Sequence, residues 1–244
     1  MQKEVTIGII GMGRMGQAIA TQIESVQHLH FHPFERLSTD RLASLKTCDV
    51  AIEFTTPEAA PEVIRTCLKA GIPTVSGTTG WHEYHLEEIL TFCRNTGGKL
   101  LYATNFSIGM NVVFALNEKL AGLLEAYPEF KPAVQEIHHI HKKDMPSGTA
   151  YTLIEQIMKE QPKYERINLN HAQDDQSNAI PVTAIREGEV KGIHEVTWDS
   201  GLEKITLTHE ARDRGIFAAG AISAARWLIS QPKGIYTMKD FIQG

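Results

Sequence analysis

Three histidines, two lysines and an aspartate occupy residues 138–144, His138-His139-Ile140-His141-Lys142-Lys143-Asp144, and Pro146-Ser147-Gly148-Thr149 follows almost at once. A histidine titrates near neutral pH and can act as a general acid. Lys142 and Lys143 add positive charge. Ser147 has the side chain of a helix N-cap. The amides of Gly148 and Thr149 would then point outward at the positive end of a helix dipole. Together these groups predict a site that binds a carboxylate and supplies a proton. If AVQEIHH (133–139) is a strand continuing into this segment, His139 and His141 share one face and His138 takes the other. Spacing alone leaves open which histidine is the acid. Two other readings compete. His139 and His141 have two-ligand metal spacing, but adjacent lysines repel a cation and no cysteine stands near, so no metal is expected. A merely solvated basic turn fits poorly with three histidines in four residues.

A second chemistry-bearing segment lies near the start of the chain. Gly11-Met12-Gly13-Arg14-Met15-Gly16 fits G-x-G-x-x-G, between a strand-like run, VTIGII (5–10), and a helix-like run (14–26). In that context Gly11 permits the turn, Gly13 lets backbone approach a pyrophosphate, and Gly16 lets the helix sit close to the sheet. Unpaired amides at the helix start then hold the phosphates. Glu35 stands where a ribose-reading acid should follow the second strand. Arg36 beside it suits a 2′-phosphate, so the pair does not choose between NAD(H) and NADP(H). Two more loops, GTTG (77–80) and ATNFS (103–107), follow strand-like runs and have small or hydroxyl side chains against which a flat nicotinamide can lie.

These segments need a frame. Apolar runs at 5–10, 28–34, 49–54, 72–77 and 99–104 alternate with helical patterns at 14–26, 58–70 and 83–94. That order predicts an α/β fold, a Rossmann-type doubly wound parallel sheet. The rhythm then changes. A helix near 110–125, a strand at 133–139, a helix at 148–160, a polar stretch at 161–179 expected to be loop or irregular, and strands at 180–187, 192–199 and 203–210 predict a second, α+β domain on a mixed sheet. A last helix near 215–230 returns to the first. The expected domains are 1–106 with 216–244 for dinucleotide binding, and 107–215 for substrate binding and oligomerisation.

The 244 residues carry a formal net charge of −5, with 42% hydrophobic and 22% charged residues. That balance argues against coating nucleic acid, which needs many cations to neutralise phosphates. No apolar run reaches membrane-spanning length. Cys48, Cys67 and Cys93 are odd in number and far apart, which suits a reducing compartment. No signal-peptide pattern precedes the first strand, and the expected location is the cytoplasm.

The motifs GMGRMG (11–16), EFTTPEA (53–59), SGTTG (76–80), NFSIGMN (105–111), EIHHIHKKDMPSGTA (136–150), REGEVKGIHEV (186–196) and FAAGAISAARWL (217–228) resemble, in order and across nearly the whole chain, the dihydrodipicolinate reductases, also called 4-hydroxy-tetrahydrodipicolinate reductases. The E-x-H-H-x-x-K-x-D-x-P-S-G-T block is far more specific than the glycine loop. The resemblance implies reduction of a small cyclic dicarboxylate by NADH or NADPH in the diaminopimelate route to lysine. It implies His138 as proton donor and Lys142 as a second catalytic residue that also holds substrate. His139, Ser147, Gly148 and Thr149 become substrate contacts. Gly11, Met12, Gly13, Arg14, Met15, Gly16, Glu35, Arg36, Gly77, Thr78, Thr79, Ala103, Thr104, Asn105 and Phe106 become cofactor contacts. It also implies a homotetramer formed through the second domain's sheet. Another nicotinamide oxidoreductase of a small anion, or a non-catalytic nucleotide sensor, would share the first domain.

Overall fold

In the computed structural model, which describes residues 3–38, 41–170 and 178–244, Val50–Glu53 is a strand with every residue buried and Lys131–His138 one that buries every other residue. Contacts divide the chain into two compact units, Met1–Ile108 with Gly215–Gly244, and Gly109–Arg214. No helix among the described residues is long and apolar enough to cross a membrane.

In the first unit, β1 (Val5–Ile10), β2 (Leu29–Phe34), β3 (Val50–Glu53), β4 (Thr74–Ser76), β5 (Lys99–Tyr102) and β11 (Gly234–Tyr236) form one sheet in the order β11-β5-β4-β3-β1-β2. All neighbours are parallel. Parallel sheets are covered on both faces, and the run Ile7, Ile9, Ile10 is fully buried accordingly. Ile7 and Ile9 point to one side, against α1 (Arg14–Glu24) and α7 (Gly215–Ser230). Ile10 points to the other, where Leu45, Cys67 and Ile72 pack, with α3 (Ala60–Lys69) among the covering helices. The small residues Ala218, Ala221, Ala224 and Ala225 of α7 are buried against the first face. This is the expected doubly wound architecture. β11, the short α2 (Leu42–Leu45) and α8 (Met238–Gln243) were not legible in the sequence; each is six residues or fewer, too short for a period to show.

The second unit is a mixed sheet in the order β10-β9-β6-β8-β7, with β6 (Lys131–His138), β7 (Arg166–Leu169), β8 (Ala179–Arg186), β9 (Ile193–Asp199) and β10 (Lys204–Glu210). β6 is central, parallel to β8 and antiparallel to β9. Val134, Val182, Val196 and Trp198 form its buried core with Leu153, Ile154 and Ile157 of α6 (Gly148–Glu160) and with Met110 and Ala121 of α5 (Ile108–Leu123).

Two expectations are corrected here. The polar stretch 161–179 contains β7, whose one fully buried side chain is the polar Asn168, so no apolar alternation marks it. Its residues 171–177 lie outside the described ones. The strand thought to run into the histidines stops at His138, and 139–141 form a turn. His139 and His141 therefore do not share a strand face.

Trp198 is fully buried. Trp198→Ala should lower unfolding free energy by about 3–5 kcal/mol, read from denaturant titration; an unchanged midpoint would contradict this core.

Candidate active site

β6 alternates, so Val134, Glu136 and His138 all face the buried, helix-covered side. Register then decides their neighbours. Glu136 stands opposite His194 on β9, and His138 opposite Arg186 on β8. The Glu136 carboxylate is wholly buried. The Ser147 amide donates to both its oxygens at 3.1 Å, and Arg186 Nη2 donates to Oε1 at 2.9 Å. His138 Nδ1 is 3.5 Å and His194 Nε2 3.8 Å from Oε2. Burial alone would raise the Glu136 carboxyl, but the hydrogen bonds from Ser147 and Arg186 outweigh it and hold it below the usual range. The two imidazoles move the other way. Burial lowers both His138 and His194, the latter to about 4, and the nearby Lys142 ammonium adds to the effect.

Glu136 also sets the chemistry of His138. A carboxylate beside Nδ1 favours the proton there and leaves the Nε2 lone pair unprotonated in the neutral ring. Nε2 faces the Gly192 backbone; a Cβ on that residue would come within 3.1 Å of it. Gly192 has φ +153°, so this open approach depends on glycine twice over.

The loop between β6 and α6 is held from beneath by Arg186. Its guanidinium donates to the carbonyls of Lys142 at 3.3 Å and Asp144 at 2.5 Å as well as to Glu136. Lys142 Nζ pairs with Asp144 Oδ2 at 2.8 Å. Burial would raise Asp144, and that ammonium keeps it low. Arg214 Nη2 lies 3.2 Å from His139 Nε2. A guanidinium can only donate, so His139 carries its proton on Nδ1, a buried atom with no hydrogen-bond partner among the described residues. Ser147 is the N-cap of α6, its hydroxyl accepting from the Ala150 amide at 3.2 Å, as its position suggested. Gly148 is exposed and a Cβ there would meet nothing within 4 Å. His138, His139, Lys142, Ser147, Gly148 and Thr149 thus all lie on the end of β6, the following loop or the start of α6, whereas His141 is exposed beside Glu189.

Glu136, His138 and His194 also bring three potential metal donors within 4.8 Å of one another. Both Glu136 oxygens are already engaged, and the Arg186 guanidinium and Lys142 ammonium oppose a further cation. The pair His139 and His141 has ring centroids 6.0 Å apart, with one nitrogen of His139 taken by Arg214.

In the first unit, parallel strands deliver their carboxyl ends to one edge. Backbone hydrogen bonds stitch the loops there: Gly11 N–H to Phe34 O, Phe54 N–H to Ile10 O, Gly77 N–H to Glu53 O and Ala103 N–H to Ser76 O, at 2.8–3.1 Å. Gly11 has φ +92°, and a Cβ on it would overlap the Phe54 carbonyl. A Cβ on Gly16 would overlap Gly11 O, the close helix–sheet approach expected of the third glycine. Gly13 caps α1 without a side-chain bond, and a Cβ there would enter open space. The first helical bond runs from Gln17 to Gly13, so the amides of Arg14, Met15 and Gly16 precede the helix ladder. Met12 and Met15 are half-buried; Arg14, Glu35 and Arg36 are exposed, the last two directly after β2. An uncapped helix start with room over its glycine fits a pyrophosphate.

Glu53, which sequence reasoning passed over, binds two of these loops. Fully buried, it accepts from the Thr55 amide and hydroxyl, from Ser76 Oγ and from Thr78 Oγ1 at 2.5–2.7 Å. Thr78 Oγ1 also accepts from the Thr55 amide at 2.7 Å, so its proton and one lone pair are used inside the protein. Phe106 likewise is buried, edge-on to Phe54 at 5.8 Å. Thr79 and Thr104 are exposed, and Gly77, Ala103 and Asn105 half-buried. Glu136, Arg186 and His194 were missed as well. The signal was the alternation that puts 136 on the face of 138, and 194 on the face of Val196 and Trp198.

Residues 5–106 match the family model for the N-terminus of dihydrodipicolinate reductase, and residues 109–242 the model for its C-terminus. The chain is 41% identical over 239 residues, 98% of each chain, to a 4-hydroxy-tetrahydrodipicolinate reductase of Christiangramia forsetii. It is 34% identical over 244 residues to one of Methanospirillum hungatei, covering 94% of this chain and 95% of the other. A dipicolinate-bound dihydrodipicolinate reductase from Paenisporosarcina sp. TG-14 has the same fold, with a TM-score of 0.78 at 23% identity over 97% of this chain and 99% of its own.

Two outcomes follow from the buried cluster. Arg186→Met leaves the Glu136 carboxylate without its cation and should cost about 3–5 kcal/mol in denaturant unfolding; a loss under about 1 kcal/mol would contradict the pairing. The depressed histidines bind more protons unfolded than folded below pH 6.5, so stability is complete above 6.5 and falls as pH drops. For His194 the loss levels near pH 4, at the order of 3 kcal/mol. Melting temperature against pH, compared between wild type and His194→Gln, should show the shallower acid slope in the variant.

Proposed function

The chain belongs to the dihydrodipicolinate reductase family, and from that premise we propose how its residues reduce 4-hydroxy-tetrahydrodipicolinate (dihydrodipicolinate) to tetrahydrodipicolinate in the diaminopimelate route to lysine. The observation that carries this reading is the single cluster of an oriented imidazole, an ammonium and a capped helix start around buried Glu136. Reduced NADH or NADPH, when bound, supplies the hydride. The Gly11–Gly16 loop would hold its pyrophosphate, with Glu35 and Arg36 serving the adenosine ribose. The backbones of Gly77–Thr79 and Ala103–Phe106 would frame the nicotinamide end.

The second unit supplies the remaining groups. One substrate carboxylate is bound by Ser147, Gly148 and Thr149 at the positive end of α6. Lys142 turns from Asp144 to a carboxylate and offsets the charge that builds on the ring. His139 donates through its unpartnered Nδ1–H. His138, its Nδ1–H directed at Glu136, delivers a proton from Nε2 to the ring carbon next to the one that takes the hydride. One hydride and one proton added to the ring after loss of water balance the conversion. Burial lowers His138 in the free protein, and two incoming carboxylates raise it, so the acid is loaded when substrate arrives.

The half-buried outer residues of the central strands, among them Ala133, Gln135, Ile137 and Thr183, support assembly into a homotetramer through that sheet face. Unpaired Cys48, Cys67 and Cys93 support a reducing cytoplasm.

Oxidation of NADH and of NADPH on enzymatically made substrate tests the reading. Wild type should turn over with at least one. His138→Ala and Lys142→Ala should each lose about 10²–10⁴ in kcat while still binding nucleotide. Full activity in the double variant, or none in folded wild type, would sink it. Because the acid form of His138 is needed, kcat/KM should fall as pH rises through a value below 6.5, and the kcat limb should lie higher.

A further inference from the structure

His194 takes no part in the roles above, yet it is buried against three residues that do. Its side chain is 7% exposed. Nε2 lies 3.2 Å from Ser147 Oγ and 3.8 Å from Glu136 Oε2, and the ring stands edge-on to His138 at 5.0 Å. Its Nδ1 is buried with no hydrogen-bond partner among the described residues.

A neutral imidazole has one N–H. On Nδ1 that proton would be a buried donor with nothing to receive it, an arrangement proteins avoid. On Nε2 it meets Ser147 Oγ and leans toward an anionic carboxylate, leaving only a lone pair unmet on Nδ1. Burial also keeps the ring neutral, with its pKa near 4, so the second proton is absent at working pH.

The consequence falls on Ser147. A hydroxyl has one proton and two lone pairs. The Ala150 amide fills one lone pair at 3.2 Å, and His194 Nε2–H fills the other. The hydroxyl proton must then be given away. Without ligand the neighbouring anion is the buried Glu136 carboxylate, whose oxygens already take the Ser147 amide at 3.1 Å. A ligand carboxylate at the start of α6 would compete for that same proton.

We propose that His194 is a positioning residue that fixes Ser147 as an obligate hydrogen-bond donor and thereby sets the site to read an anionic acceptor on the ligand. This rests on the reading of Ser147 as a contact to a dicarboxylate. His194 itself touches no ligand in this scheme; it acts through the serine.

The test is a double-mutant cycle read by dissociation constants for pyridine-2,6-dicarboxylate with bound NADPH, on the full-length chain. His194→Leu should weaken binding about tenfold when Ser147 is present, and by less than about twofold in Ser147→Ala. His194→Gln, which retains an N–H donor, should recover most of the loss. NADPH affinity should stay at the wild-type value in all variants, which reports an intact first unit. Equal weakening by His194→Leu in both serine backgrounds would mean a merely structural role and overturn the proposal, as would unchanged binding in His194→Leu. Nitrogen-15 shifts of the wild-type imidazole need no variant: a proton on Nε2 is expected, and one on Nδ1 overturns the assignment. If wild type itself fails to bind the dicarboxylate, the dicarboxylate reading falls and this proposal with it. Wild-type binding with an additive cycle removes the role of His194 alone.

Discussion

A carboxylate with no exposure to water must find its compensation inside the protein, and in the second unit that carboxylate is Glu136. An unpaired buried charge is too costly to persist. Arg186, the Ser147 amide and two imidazoles surround it. Each partner is pinned by the same requirement. Arg186 reaches on to the Lys142 and Asp144 carbonyls, so the loop that carries the chemistry is held by the residue that neutralises its anchor. The Ser147 amide, bound by the carboxylate, marks where α6 begins. Removing the charge would leave the loop without its register.

The first unit uses the same device with different donors. Glu53, equally buried, is met by three hydroxyls and an amide and, among the described residues, by no cation. Its partners belong to β4 and to the loops after β3 and β4, and Thr78 is fixed as a consequence. The loops at that edge of the sheet are therefore ordered by internal hydrogen bonds, while the amides of Arg14, Met15 and Gly16 precede the helix ladder. A preformed backbone cradle loses little entropy when a ligand arrives. In both units a buried carboxylate holds the loops that follow the strands.

Proton positions are part of this ordering. Arg214 can only donate, which puts the His139 proton on Nδ1. Glu136 favours the His138 proton on Nδ1 and frees Nε2. The two neighbouring histidines thus share a tautomer for different reasons: Nδ1 of His138 faces the Glu136 carboxylate at 3.5 Å, and Nδ1 of His139 is buried without a hydrogen-bond partner among the described residues. Division of labour within the H-H pair comes from their neighbours and not from their place in the sequence.

The sequence by itself determined the alternation of strands and helices, the glycine loop and the concentration of chemistry at 138–149, because periodicity, glycine and N-cap preferences are local properties. The family followed from motifs in order along the chain. Only the tertiary structure decided that His138 ends its strand while His139 turns away, since a strand's end is set by its neighbours' pairing. Glu136, Arg186 and His194 meet because β6 pairs with β8 on one side and β9 on the other, bringing together residues about fifty positions apart. β7 was hidden for a related reason: its buried residue is a polar asparagine, and only strand pairing makes it part of a sheet. A single sequence records which side chains can do chemistry. Sheet register decides which of them face one another and where each proton rests.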